Sequence, residues 1–410
     1  MSIQALPPEL LYHCFSYLPT SSLPAASHVC RSWSPAREVH WARRRIHLTA
    51  RTAEKLAVLL GPGTTVPKMV EAICVDEPAN PEAIQAFREN VITIMSHFRT
   101  PSDLVLDNFG LCDLPESHQQ EFLRRARPHR LLIAKWLKTR DLSRAMDIVL
   151  NQPEINFLGV GQVLVEEPID DWTEITRRWK EYKVENTEKE VDAITVRLEN
   201  LRTLCVYPAQ GPPLDGTHWV VRKVWSHIVP ALSRSQLPKL ETLVAESPNG
   251  TREKLHRLID TTAATLRSLA VSFDDPGNLI LPKMPCLINL SINVYNNSAL
   301  ATISSAPATL EQIFLHLSFR FSASSLEREP WEALDAVMAD MPCLRRITII
   351  SSGSAYLRFV ERQLSVCKSK GLVEVKVTRV RGWSRVAFAD YDVGDMEDRL
   401  RTSTSRDETI

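Results

Sequence analysis

Met284-Pro285-Cys286-Leu287-Ile288-Asn289-Leu290-Ser291-Ile292-Asn293-Val294 is the stretch that decides how most of this chain folds. Counted from Leu287, the apolar residues Leu287, Leu290 and Ile292 fall at positions one, four and six, and Asn289, Ser291 and Asn293 alternate with them. That is the pattern of a strand with one face against a core. A proline just ahead of a strand costs no ladder hydrogen bond. The opening tetrapeptide recurs at Met341–Leu344, and Pro238-Lys239-Leu240 echoes it. The same spacing returns at Leu201-Leu204-Val206, Leu240-Leu243-Ala245, Leu266-Leu269-Val271, Leu310-Ile313-Leu315, Leu344-Ile347-Ile349 and Leu372-Val375-Val377. Seven copies mark a repeat architecture, in which each unit buries its apolar face against its neighbours.

Segments of helical period lie between these strands, as at Leu255, Leu258, Ile259 and Ala263, or Trp331, Leu334, Val337 and Met338. Strand alternating with helix predicts the α/β class. Weaker strand candidates come earlier, at Ile46–Leu48, Val70–Val75, Leu104–Leu106, Leu131–Ile133 and Ile155–Val160, with helical stretches near Pro81–Phe98 and Pro115–Arg127. The copies start 39, 26, 21, 23, 34 and 28 residues apart. This spacing resembles the leucine-rich repeat family, which implies an irregular solenoid, or horseshoe, over residues 46–388. The asparagine usual after the strand is replaced by Ala209, Pro248, Asp274, Tyr295, Ser318, Ser352 and Val380, so irregular turns are expected. Positions three, five and seven would line the concave side. On it Tyr207, Phe314, His316 and Arg346 are the side chains best suited to anchor a protein target.

Composition removes other classes. The 410 residues carry 49 Lys+Arg against 49 Asp+Glu, a net charge of zero, so no global field draws the chain to nucleic acid or to a membrane. No apolar run approaches the ~20 residues that span a bilayer, and Met1–Leu6 lacks the features of a signal peptide. The eight cysteines, at 14, 30, 74, 112, 205, 286, 343 and 367, show neither zinc-ligand nor redox spacing, and they read as reduced thiols of a cytoplasmic or nuclear protein. Gly159-Val160-Gly161 holds two glycines of a dinucleotide loop, but Leu164 stands where the third belongs. No catalytic motif, metal site or cofactor site is expected. The basic run Arg124–Arg130 reads as a solvated helix end.

The first forty-odd residues are a separate module. Leu6-Pro7-Pro8-Glu9-Leu10-Leu11 opens a helix, with proline in the first turn and Glu9 near its positive end. Leu11, Phe15 and Leu18 form one face of it. A second helix carries Leu23, Ala26 and Val29 toward Trp33, and Ser34-Pro35 opens a third that carries Val39 and Trp41. So short a unit does not cover this much apolar surface without a staple or a partner. The surplus predicts packing on something else, either the rest of the chain or another protein, which makes the unit a candidate docking module.

The series Leu6-Pro7-x-Glu9-Leu10-Leu11, Phe15-x-x-Leu18-Pro19, Leu23, Val29-Cys30-Arg31-x-Trp33 and Trp41 resembles an F-box. The resemblance implies a three-helix unit over residues 1–45 that packs on the Skp-family adaptor of an SCF-type ubiquitin ligase, and through it on cullin and RING subunits. Leu6, Pro7, Leu10, Leu11, Phe15, Leu18, Leu23, Val29 and Trp33 would form the contact set. Cys14, where the family has a branched aliphatic, and Pro24 in the second helix depart from the pattern. The expected function is a non-catalytic adaptor that presents a repeat-bound target for ubiquitination. The alternative is a leucine-rich-repeat scaffold with no ligase role. A charged insertion at about 168–195 and a disordered polar tail over 389–410 complete the expected layout.

Overall fold

The computed structural model describes residues 7–18, 22–30, 33, 36, 45–60, 70, 72–78, 80–98, 103–107, 109–110, 114, 118, 122, 128–139, 149–166, 196–206, 219–222, 224–247, 252–273, 279–294, 298–317, 330–351 and 354–377. They divide into two compact units, the first ending with residue 139 and the second beginning with residue 149. The expected insertion and the tail both lie outside the described residues.

The first unit begins with helices α1 (Pro8–Ser16) and α2 (Leu23–Ser27). Ala36 is helical, but the rest of the expected third helix lies outside the described residues. There follow β1 (Arg45–Leu48), α3 (Ala50–Leu59), β2 (Ala72–Asp76), α4 (Pro81–His97), β3 (Asp103–Asp107) and β4 (Arg130–Thr139). The four strands form one parallel run, β1-β2-β3-β4, with Ile46 opposite Ile73, Ile73 opposite Leu104 and Leu104 opposite Leu131. Local chemistry starts the helices. A reciprocal box at α3 has the Thr52 N–H on Thr49 Oγ1 at 3.4 Å and the Thr49 N–H on Thr52 Oγ1 at 2.8 Å. At α4, Asn80 Oδ1 accepts from the Glu82 N–H at 3.1 Å and Pro81 takes the first position. Val91, Ile94 and Met95 of α4 are buried, as are Ile73, Val75, Leu104 and Leu106 of the sheet. One ion pair is buried with them. Arg88 donates through Nε to Glu77 Oε2 at 2.9 Å and through Nη2 to Oε1 at 3.0 Å, and the Gly110 N–H adds a third bond at 3.1 Å.

The second unit contains β5 (Phe157–Glu166), β6 (Thr203–Val206), β7 (Trp219–Arg222), α5 (Val224–Arg234), β8 (Thr242–Ser247), α6 (Arg252–Thr262), β9 (Ser268–Phe273), β10 (Asn289–Val294), α7 (Ser298–Ser304), β11 (Gln312–Leu317), α8 (Trp331–Ala339), β12 (Arg346–Ser351), α9 (Ser354–Gln363), α10 (Ser365–Ser369) and β13 (Val373–Val377). Its parallel strands run β5-β6-β8-β9-β10-β11-β12-β13. β7 lies off this path, antiparallel to the far half of β5, with Glu166 opposite Trp219. Gly159 and Gly161 fall inside β5, so no phosphate-binding turn forms there.

Six of the seven repeat copies align in register: Leu204, Leu243, Leu269, Leu290, Ile313 and Ile347 face one another along the array. The seventh is displaced by two residues, because Ile347 faces Val373 and not Val375. Gly371 is the cause. Its φ of 72° lets α10 close with the Gly371 N–H on the Lys368 carbonyl at 2.9 Å and the Leu372 N–H on the Cys367 carbonyl at 3.0 Å. That reversal feeds the chain into β13 sooner than the apolar spacing alone implies. A main-chain ladder ties the strand starts together. The carbonyls of Asn156, Arg202, Glu241, Arg267, Ile288 and Glu311 each accept two consecutive N–H groups of the next repeat, within 3.2 Å. These bonds satisfy main-chain groups at the strand starts; positions 209, 248, 274, 295, 318, 352 and 380, where irregular turns were expected, lie outside the described residues.

Asp335 of α8 locks the last helices together. Its carboxylate accepts the N–H groups of Val366 at 2.7 Å and Cys367 at 2.9 Å, which begin α10. Burial by itself disfavours the charged carboxyl, but hydrogen bonds from Cys367, the Val366 N–H and Ser365 outweigh it and hold the group below its ordinary 3.8. The Cys367 thiol is pushed up to about 12, by burial first and then by Asp335. A lowered carboxyl stabilises the fold above its unfolded value and loses that contribution as pH falls. A raised thiol stabilises below its unfolded value of 9.0 and loses that as pH rises toward 12. The urea midpoint of the full chain should therefore drop below about pH 4 and again above about pH 9. Asp335→Asn should flatten the acid limb and Cys367→Ala the alkaline limb. Unchanged limbs in these variants would refute the assignment.

Candidate functional site

At the N-terminus, Pro7 opens α1 without a side-chain cap, its carbonyl accepting the Leu10 and Leu11 N–H groups at 3.1 Å. Leu11 and Phe15, four residues apart, turn inward and meet Leu23, Ala26 and Ala36 in a small closed core. Leu18 and Trp33 pack against it, the Phe15 and Trp33 rings lying 5.2 Å apart and tilted by 60°. Much of the apolar surface that the sequence assigned to a partner is thus used inside the module.

An adjacent side of α1, about a quarter-turn round, remains outside. Leu10 is 51% exposed and Tyr17 75%, with Pro7, His13 and Cys14 exposed too, and Val29, just after α2, is 60% exposed. Leu10, Cys14 and Tyr17 follow one another at spacings of four and three, so they form a stripe along the helix. His13 stacks edge-on against Tyr17 at 5.1 Å and stands 3.4 Å from its hydroxyl. Of the nine expected contact residues, Pro7, Leu10 and Val29 are exposed; Leu11, Phe15 and Leu23 are buried; Leu18 and Trp33 are half-buried; Leu6 lies outside the described residues. Sequence periodicity missed Tyr17, although its place seven residues after Leu10 was the available signal.

In the second unit, Phe314 and His316 lie on one face of β11 and are nearly buried there. Phe314 stands between Ser291 and Thr348, and His316 between Asn293 and Ile350. Arg346 is half exposed on β12, its Nε 2.6 Å from Glu374 Oε2 in an ion pair not aligned as a hydrogen bond. Tyr207 lies outside the described residues. The same face carries two matched clamps: Asn289 Nδ2 donates to Ser268 Oγ and Asn293 Nδ2 to Ser272 Oγ, each at 3.0 Å. The hydroxyls of Ser291 and Thr348 are buried there without a hydrogen-bond partner. This face is polar and close-packed, and its charged groups are few.

Among the described residues no group of three His, Cys, Asp or Glu side chains is placed to hold a metal, and no helix is long and apolar enough to cross a membrane. No curated protein matches the chain. Residues 3–46, which span the closed core and the exposed stripe, match the family described as F-box-like, and the chain therefore carries an F-box-like domain at its N-terminus.

Proposed function

We propose that this chain is the substrate-recognition subunit of an SCF-type ubiquitin ligase. The observation that carries the reading is the F-box-like match over residues 3–46, because F-box domains bind Skp-family adaptors. The adaptor in turn links to cullin and RING subunits, which supply the transfer chemistry, so the chain makes no covalent bond itself. The geometry supports a division of labour within residues 1–45. Leu11, Phe15, Leu18, Leu23 and Trp33 set the shape of the module, while Pro7, Leu10, Val29 and the added Tyr17 meet the adaptor. The buried members belong to the docking set by positioning the others.

Residues 46–388 form the leucine-rich-repeat-like array that receives an unidentified protein target, at work in the cytoplasm or nucleus. The strand face carrying Phe314, His316 and Arg346 is its recognition surface, and Tyr207, outside the described residues, is a further candidate anchor. The purified full chain should co-elute with a recombinant Skp-family adaptor as a one-to-one complex and retain it through a salt wash, since apolar contacts dominate the interface. Absence of any complex would remove the ligase reading and leave the repeat scaffold as the better one.

A further inference from the structure

β13 is the last strand of its sheet and, among the described residues, pairs with β12 alone. Which of its main-chain groups are left open follows from the register. The Ile347 N–H donates to the Leu372 carbonyl at 2.7 Å, and Ile347 lies opposite Val373. Alternate residues of a parallel strand face a given neighbour. Leu372 therefore turns its C=O, and Glu374 and Lys376 turn their N–H and C=O, toward β12, while the Leu372 N–H closes α10 on the Cys367 carbonyl; Val373, Val375 and Val377 turn theirs to the open edge. Side chains alternate as well. The valines continue the row of Ile347 and Ile349, which is buried elsewhere in the array, yet Val375 is 37% and Val377 65% exposed. Val366 on α10 of the same repeat is exposed too. Glu374 and Lys376 project on the opposite face, beside Thr348 and Ile350.

The sequence of this edge is its own complement. Turned antiparallel about Val375, Val373-Glu374-Val375-Lys376-Val377 places Val375 opposite Val375, Val373 opposite Val377, and Glu374 opposite Lys376 on both sides. Every residue with open main-chain groups then meets another such residue, enough for about six hydrogen bonds. All cross-strand charges are opposite in sign. We propose that a second copy of this chain docks here, joining two β13 edges about a two-fold axis through Val375. The axis runs through the sheet, so the exposed valines of both copies share one face and cover each other. Lys376 deters pairing on a lone edge, and the Glu374 of the second copy neutralises it. The interface is isologous and stops at two copies. It is small, so the dimer forms with a dissociation constant on the order of 10 µM.

Sedimentation of the full chain from about 1 to 100 µM should show the shift from monomer to dimer. Val375→Pro is the cleanest break. The N–H at this position is not used by β12, and proline is tolerated on an edge strand. That variant should stay monomeric throughout with an unchanged melting temperature. Lys376→Glu alone, and Glu374→Lys alone, set like charges face to face and should each weaken the dimer at least tenfold. Mixed one to one, they regain opposite charges at every position and should associate with each other. A full chain that stays monomeric to about 100 µM, a dimer that survives Val375→Pro, or two charge variants that do not associate would each overturn the proposal.

Discussion

Replacing Arg88 by alanine is expected to cost the first unit about 3–5 kcal/mol, more than any surface change in this chain. The guanidinium is the forked partner of Glu77, bonded at 2.9 and 3.0 Å, and both side chains are almost wholly removed from solvent. Removing it leaves a buried carboxylate with only the Gly110 N–H, at 3.1 Å, to hold its charge. The loss reflects an orphaned charge and not the net worth of the pair. The double replacement Arg88→Met with Glu77→Leu removes both charges at similar volume and should recover most of the stability. Urea denaturation followed by far-UV circular dichroism measures all three proteins. A single variant that loses less than about 1 kcal/mol would show that water reaches the carboxylate and that the pair behaves as a surface bridge.

That pair was not legible in the sequence, and the reason is general for this chain. Glu77 and Arg88 are ordinary charged residues eleven positions apart, and only the return of the chain after β2 into α4 brings them together in a buried pair. Elements that repeat were easier. The one-four-six spacing places Leu204, Leu243, Leu269, Leu290, Ile313 and Ile347 correctly, because each copy reads against six others. The helix at Pro81–His97 and the strands β1, β2 and β3 stood within a few residues of their expected places, and β4 began at its expected place but runs on to Thr139. What failed was local and non-repeating. Gly371 ends α10 in a left-handed turn and shifts the last strand by two residues. α3 has too polar a surface, with Arg51, Glu54 and Lys55, to announce itself by periodicity, and its start is set by the Thr49–Thr52 box. β7 runs antiparallel to β5, a pairing that no spacing in a parallel array encodes.

The candidate site was half legible for a related reason. α1 carries two apolar stripes one residue out of phase, Leu10-Cys14-Tyr17 and Leu11-Phe15-Leu18, and both satisfy a helical period. Periodicity shows that two faces exist and is silent on which one turns inward. Leu23, Ala26 and Ala36 decide that, and they reach Leu11 and Phe15 only when the second helix folds back. On the strand face, the position rule placed Phe314 and His316 together. It did not show that Asn289 and Asn293 would be clamped to Ser268 and Ser272, since that depends on the register of β9 against β10.

The two stripes also give the sharpest test of docking. Leu10→Glu with Val29→Glu should lower affinity for a Skp-family adaptor by about 100-fold while leaving the helices intact. Both side chains are more than half exposed in the free chain, so the module's core does not need them. Fully burying a leucine contributes about 1.5–3 kcal/mol, so covering the exposed half of Leu10 gives about 1 kcal/mol, and Val29 somewhat less. Setting a carboxylate against an apolar partner adds a desolvation penalty at each position. At about 1.4 kcal/mol per tenfold, each position reaches about one order of magnitude. Leu11→Ala or Phe15→Ala acts by another route. Each hollows the small core at a cost of about 2–5 kcal/mol and weakens binding by unfolding the module. Titration calorimetry with circular dichroism separates the two cases, because the first pair loses binding with its helical signal kept and the second loses both. If the Leu10 and Val29 variant binds like the unaltered chain, these exposed side chains are not the docking contacts, and the adaptor must reach the module from the side of Leu18 and Trp33.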